Sequence, residues 1–204
     1  MADNKFEKIL EHVGESGAIE YGIIRGIGAT VFIKTGVGAD IRNDKSKYVI
    51  LAERLNKKYG CSVICASNPQ QIKNQAEIDE SAIDTLVRDY GLDYPEFFFG
   101  NSNGGIRGLE LAVSGGRFTR MVIVNMPLMI NMFKTKAMIR ELSEVDIMAF
   151  YGDGDPSLPY VPFFKDKFDN MRLTVCPGAD HNFLGMIGDF IGLADSLFID
   201  TKEN

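Results

Sequence analysis

Short, nearly continuous apolar runs alternate along this chain with longer stretches in which apolar residues recur every three or four positions. Runs of that first kind predict strands at Ile19–Arg25, Thr30–Lys34, Cys61–Ala66, Pro95–Gly100, Met121–Asn125, Asp146–Tyr151 and Arg172–Cys176. The helical spacing predicts helices at Ser46–Tyr59, with Val49, Ile50, Leu51 and Leu55 toward the core, and at Glu77–Tyr90, Asn103–Ser114 and Leu184–Phe198, with a short one near Val161–Phe168. An N-terminal amphipathic helix is expected over Asn4–Val13, because Phe6, Ile9, Leu10 and Val13 share a helical face. Gly26-Ile27-Gly28 joins the first two strands and suggests an antiparallel start to the sheet. Continued alternation of strand and helix implies an α/β fold: a mostly parallel central sheet with helices on both faces. There is no internal repeat, low-complexity tract or composition break, so residues 1–204 are expected to form one domain.

Composition narrows the class of partner. The 204 residues are 45% hydrophobic, enough for one sizeable core, and carry a net charge of −6 without a basic run. Neutralising nucleic-acid phosphates takes clustered Lys and Arg, so a nucleic-acid partner is excluded. No segment approaches the roughly 20 apolar residues of a membrane span, and the start Met-Ala-Asp-Asn-Lys lacks the apolar stretch of a signal peptide. A cytoplasmic protein with no membrane partner is expected. Cys61, Cys65 and Cys176 have no metal-like spacing and read as free thiols, so neither metal nor cofactor is expected. Homo-oligomerisation is left open.

The chemistry concentrates where the aromatic run Phe97-Phe98-Phe99 meets Gly100-Asn101-Ser102-Asn103-Gly104. Gly-x-Ser-x-Gly between a strand and a helix is the pattern of a nucleophile elbow: the serine occupies a strained turn, and glycines on either side let the crossing backbone pass. The alternative is a plain glycine-rich turn. A serine nucleophile needs a base, and the chain has two histidines. His12 falls in the N-terminal amphipathic stretch, whereas His181 follows a strand, in Pro177-Gly178-Ala179-Asp180-His181-Asn182-Phe183. A carboxylate to orient that imidazole is available in Gly152-Asp153-Gly154-Asp155, where Asp155 is the candidate; a solvated turn and a cation loop are the competing readings.

With these segments in place the sequence resembles the α/β-hydrolase family over nearly its whole length. The order Ser102, Asp155, His181 matches the family's triad order; Gly152–Asp155 is similar to its Gly-x-x-Asp segment, favouring Asp155 over Asp153, and Gly178–Phe183 to its histidine loop. Because the chain is short for that fold, only a minimal lid is implied. The resemblance places an oxyanion loop at Thr35-Gly36-Val37-Gly38, with a plain glycine turn as the alternative, and implies that the backbone N–H groups of Val37 and Asn103 hold an oxyanion. Thr35 and Asn101 depart from the pattern, since many members have His before the loop glycine and before the serine. Gly36 is expected to contact substrate. Met126–Met138, with four methionines, lies where the family often inserts a lid or pocket wall, and Met126 and Met129 are expected to contact substrate there; plain core packing of these methionines is the alternative. The implied activity is hydrolysis of a small carboxylic ester or related acyl substrate through an acyl-enzyme. The alternative is an inactive α/β-hydrolase-like protein that binds a small molecule or partner.

Overall fold

The computed structural model describes residues 5–14, 17–43 and 46–199. Eight strands form one sheet: β1 Lys8–Gly14, β2 Gly17–Ile24, β3 Gly28–Lys34, β4 Cys61–Ala66, β5 Pro95–Asn101, β6 Arg120–Val124, β7 Asp146–Gly154 and β8 Met171–Asp180. Their order is β1-β2-β4-β3-β5-β6-β7-β8. Every pairing from β4 to β8 is parallel; β1 with β2 and β2 with β4 are antiparallel.

Side chains of successive strand residues point to opposite faces, and each face has its own apolar layer. One layer joins Phe32, Ile64, Phe98, Ile123 and Ile147 to helices α2 (Gln75–Tyr90), α3 (Asn103–Ser114) and α4 (Met132–Glu141) through Ile83, Leu86, Leu109, Met138 and Ile139. The other joins Val31, Val63, Phe99, Val122 and Met148 to α1 (Lys47–Tyr59) and α5 (Ile187–Gly192) through Val49, Ala52, Leu55, Phe190 and Ile191. Residues that are adjacent in sequence, such as Phe98 and Phe99, are thus both fully buried on opposite faces, and an unbroken apolar run becomes a central strand. Among the described residues no helix is long and apolar enough to cross a membrane.

Several expected elements differ. The amphipathic helix over Asn4–Val13 is instead strand β1, paired with β2 from Lys8↔Ile23 to Gly14↔Gly17; Asn4 lies outside the described residues. Ile9 packs with the α1 layer and Leu10 with the α2 layer, so a strand finds apolar cover for both neighbours, which one helical face cannot. The first two predicted strands do not pair with each other, because β4 lies between them. Gly26 makes that crossing possible: a Cβ there would stand 2.2 Å from the Gly60 carbonyl oxygen. The short helix expected at Val161–Phe168 is a 3₁₀ segment at Leu158–Phe163, where Pro159 and Pro162 lack the N–H groups that an α-helix would use. The final helix begins at Ile187 and passes into a 3₁₀ segment at Leu193–Phe198, because Leu184-Gly185 forms a turn with Gly185 at φ 76°.

Candidate active site

Strand β5 delivers Ser102 to the carboxyl edge of the sheet. Its N–H donates to the Val124 carbonyl at 2.8 Å, its carbonyl accepts from Gly105 N–H, and its backbone is held at φ 53°, ψ −129°, a strained conformation for a residue with a Cβ. Two glycines permit this turn. A Cβ on Gly104 would lie 2.4 Å from the Lys34 carbonyl oxygen, and one on Gly100 would meet the Phe98 ring at 2.6 Å and the Gly105 backbone at 2.9 Å. Helix α3 starts at Asn103, so the serine sits at the positive end of the helix beside N–H groups that have no carbonyl one turn earlier.

His181 and Asp155 come from the loops after β8 and β7. Ser102 Oγ lies 3.0 Å from His181 Nε2, and Asp155 Oδ2 lies 2.5 Å from His181 Nδ1. The Asp155 side chain is fully buried, while that of His181 is 36% exposed. The other Asp155 oxygen, Oδ1, accepts the Ser157 N–H at 2.6 Å. Asp153 points elsewhere: it is exposed and accepts from Gly178 N–H. Asp180, next to the histidine, accepts the N–H groups of Asn182 and Leu184, and those backbone hydrogen bonds hold its carboxyl below the usual aspartate value despite some desolvation. His12 lies on β1 at the opposite side of the sheet order, exposed to solvent.

Supporting residues were less visible in the sequence. Asn125, at φ 50° and fully buried, directly follows β6; its Nδ2 donates to the carbonyls of Asp180 (3.2 Å) and His181 (3.0 Å), and its Oδ1 accepts Gly152 N–H at 2.9 Å. One side chain therefore joins the ends of β7 and β8, from which the loops carrying Asp155 and His181 emerge. An asparagine at a strand end was the available signal, since Asn tolerates the left-handed region. Asn101 is buried and donates to the Tyr48 hydroxyl at 3.0 Å, which also accepts Gly36 N–H at 2.8 Å. Burial pushes the Tyr48 phenol up to about 12, against the hydrogen bonds from Gly36 and Asn101, so it stays protonated. Asn68 pins the Thr35–Gly38 loop from both sides, donating to the Thr35 carbonyl and accepting Gly38 N–H.

A cavity of about 510 Å³ opens over Ser102 and His181. Val37, Pro127, Met129, Ile130 and Pro156 form apolar wall; Asn68, Gln70, Gln75, Asn103 and Arg107 supply polar wall. Val37 and Met129 thus both line the cavity. Gly36 does not: it is buried behind Ser102, and its N–H is taken by Tyr48. Met126 is likewise corrected, being fully buried in the core, where its Cβ stands beside Gly105 and serves packing instead of substrate contact. Among the described residues no group of three or more His, Cys, Asp or Glu side chains is arranged to hold a metal ion.

No protein-family model matches the sequence, and no curated protein is significantly similar to it. Solved structures are another matter. An alpha-beta serine hydrolase homologue from Coxiella burnetii superposes with a TM-score of 0.72 over 94% of this chain and 98% of its own, at 16% identity. The chain has the α/β-hydrolase fold. Est1E from Butyrivibrio proteoclasticus shares the fold with a TM-score of 0.73 over 93% of this chain and 97% of its own, at 11% identity. A serine hydrolase without a lid from Xanthomonas campestris does so with a TM-score of 0.68 over 94% and 93%, at 14% identity. Between β6 and β7 of this chain stand only the 127–131 turn, which supplies Pro127, Met129 and Ile130 to the cavity wall, and the ten-residue α4.

Proposed function

We propose that the protein is a serine hydrolase that cleaves a small carboxylic ester or related acyl compound through an acyl-enzyme. The observation that carries this reading is the chain of contacts from Asp155 through His181 to Ser102 Oγ at the mouth of the cavity, with the serine on a strained turn. In this reaction His181 Nε2 takes the hydroxyl proton as Ser102 Oγ bonds to the substrate carbonyl carbon, and Asp155 stabilises the imidazolium. The N–H groups of Val37 and Asn103 hold the resulting oxyanion; Gly36 N–H is committed to Tyr48. Collapse expels the alcohol, which takes the proton from His181. Water then loses a proton to the same nitrogen, attacks the acyl carbon and frees the acid, restoring the serine. The serine hydrolases among the structural neighbours support the same class of chemistry.

The test is turnover of p-nitrophenyl acetate or butyrate by wild type and Ser102→Ala. Removing the nucleophile costs on the order of a thousandfold or more in kcat when a serine, a base and an acid act as a unit. Retention of more than a tenth of wild-type turnover by Ser102→Ala overturns the assignment.

A further inference from the structure

One wall of the cavity carries more polarity than ester cleavage requires. Arg107 lies four residues beyond Asn103, one turn along the same face of α3, and both line the cavity. Its Nη1 donates to Glu110 Oε2 at 2.7 Å, but its Nε, buried in the wall, has no hydrogen-bond partner among the described residues. Glu110 is shared, since Lys134 Nζ sits 2.6 Å from its other oxygen. Two cations around one carboxylate leave the cluster with an excess positive charge. Beside Arg107, Asn68 and Gln75 are each 1% exposed, and their side-chain oxygens are also without partners. Their amide nitrogens are fixed by the carbonyls of Thr35 and of Pro69 and Ile72, which leaves the wall beside the helix with unsatisfied polar atoms. The facing wall of Val37, Met129 and Ile130 is apolar.

We propose that Arg107 is a specificity residue that binds a carboxylate carried by the substrate, so that the preferred substrates are esters with an anionic group a few atoms from the scissile carbonyl. This rests on the hydrolase reading above. A guanidinium binds carboxylate best through two parallel N–H donors; Glu110 leaves the Nε edge unused, and the partly exposed side chain turns that covered edge into the cavity to meet the substrate. Arg107 stands one helical turn, about 5.4 Å along the axis, beyond Asn103, so both the carbonyl and a carboxylate a few atoms away can face the same cavity wall. An unpartnered buried guanidinium edge is costly, and a carboxylate removes that cost while the hydrocarbon between the two groups lies on the apolar wall.

The experiment compares matched esters, with acid release followed on each. Monoethyl glutarate against ethyl valerate places the carboxylate in the acyl half; 4-acetoxybutyrate against butyl acetate places it in the alcohol half. In wild type at least one anionic ester should exceed its neutral counterpart in kcat/KM by about tenfold or more, through a lower KM. Arg107→Gln should reduce that ratio at least about tenfold, and Arg107→Lys, which keeps the charge without the fork, should reduce it less. Glutarate should also inhibit wild type more strongly than glutaramide, a comparison that needs no variant. Equal rates on both members of both pairs, or a ratio unmoved by Arg107→Gln, overturns the inference and leaves the hydrolase reading standing if turnover still depends on Ser102. Absence of serine-dependent turnover on all four esters overturns the hydrolase reading; the anion site is then judged by calorimetric binding of monoethyl glutarate, which Arg107→Gln must weaken for the inference to survive.

Discussion

Asn125 holds the backbone of His181: its Nδ2 donates to the His181 carbonyl at 3.0 Å while its Oδ1 accepts the N–H of Gly152, three residues before Asp155. The asparagine touches neither Ser102 nor the imidazole, so its contribution to chemistry acts through loop position. Asn125→Ala should destabilise the fold by roughly 1–3 kcal/mol, because buried carbonyls and an N–H lose their partner. It should also lower kcat by about tenfold or more at temperatures where the variant remains folded. Denaturant unfolding and initial rates on a p-nitrophenyl ester check both, and full kcat in a destabilised variant would show that the loops hold their geometry without it.

The two aspartates of Gly152–Asp155 should behave differently. Asp155→Asn replaces the acceptor beside His181 Nδ1 with an amide that favours the wrong tautomer, and a loss of about a thousandfold or more in kcat is expected. Asp153→Asn changes only the exposed acceptor of Gly178 N–H and should stay within a few-fold of wild type. Comparable losses in the two variants would undo the assignment of roles.

The turn at Ser102 stores backbone strain, and that strain should be measurable apart from catalysis. At φ 53° a side chain costs about 1–3 kcal/mol. Glycine escapes this cost. Both Ser102→Gly and Ser102→Ala should be inactive, but the glycine variant should unfold at higher temperature than the alanine one. By contrast, Gly104→Ala drives a methyl into the carbonyls of Lys34 and Thr35 and should lose both stability and activity. An alanine variant at least as stable as Ser102→Gly would contradict a strained elbow.

How far these features could be read from the sequence depends on their range. The elbow was legible because its signals are local: a both-faces-buried strand, two glycines and a helix start within ten residues. Asp155 and His181 were legible because each follows a strand of a parallel sheet, whose carboxyl edge gathers such loops. Strand β1 was not, since Ile9 and Leu10 fit a helical face as well as opposite faces of a sheet, and only the β2 partner decides. The placement of β4 between β2 and β3 depends on backbone contact of Gly26 with Gly60, across a gap in sequence that periodicity does not see. Met126 looked like pocket wall because composition alone cannot tell a core methionine from a lining one. Tyr48 and Arg107 reach their partners through tertiary contact and helix facing, and carry no motif of their own.

Stability should depend on pH through Lys47. Its ammonium donates to the Asn182 carbonyl and lies 4.2 Å from the centre of the Phe190 ring; burial pushes it down to about 8, with Asp180 pulling in the opposite direction. The ordinary lysine value is 10.5. Between those values the unfolded chain holds a proton that the folded chain has released, so the unfolding free energy rises with pH across the window. Below pH 8 the desolvation penalty is present in full. Urea midpoints should therefore show a smaller gain, or a larger loss, from pH 8 to pH 10.5 in Lys47→Met than in wild type. Identical slopes for the two proteins would place the lysine in solvent.

Activation of Ser102 by His181 is the central claim, and it is tested most directly by reacting the folded protein with a fluorophosphonate and locating the adduct by mass spectrometry. A phosphonylated Ser102 is expected in wild type, with labelling reduced by at least about a hundredfold in His181→Ala and untouched in His12→Ala. Absence of the Ser102 adduct from folded wild-type protein, or labelling that is as fast without His181 as with it, would contradict the claim.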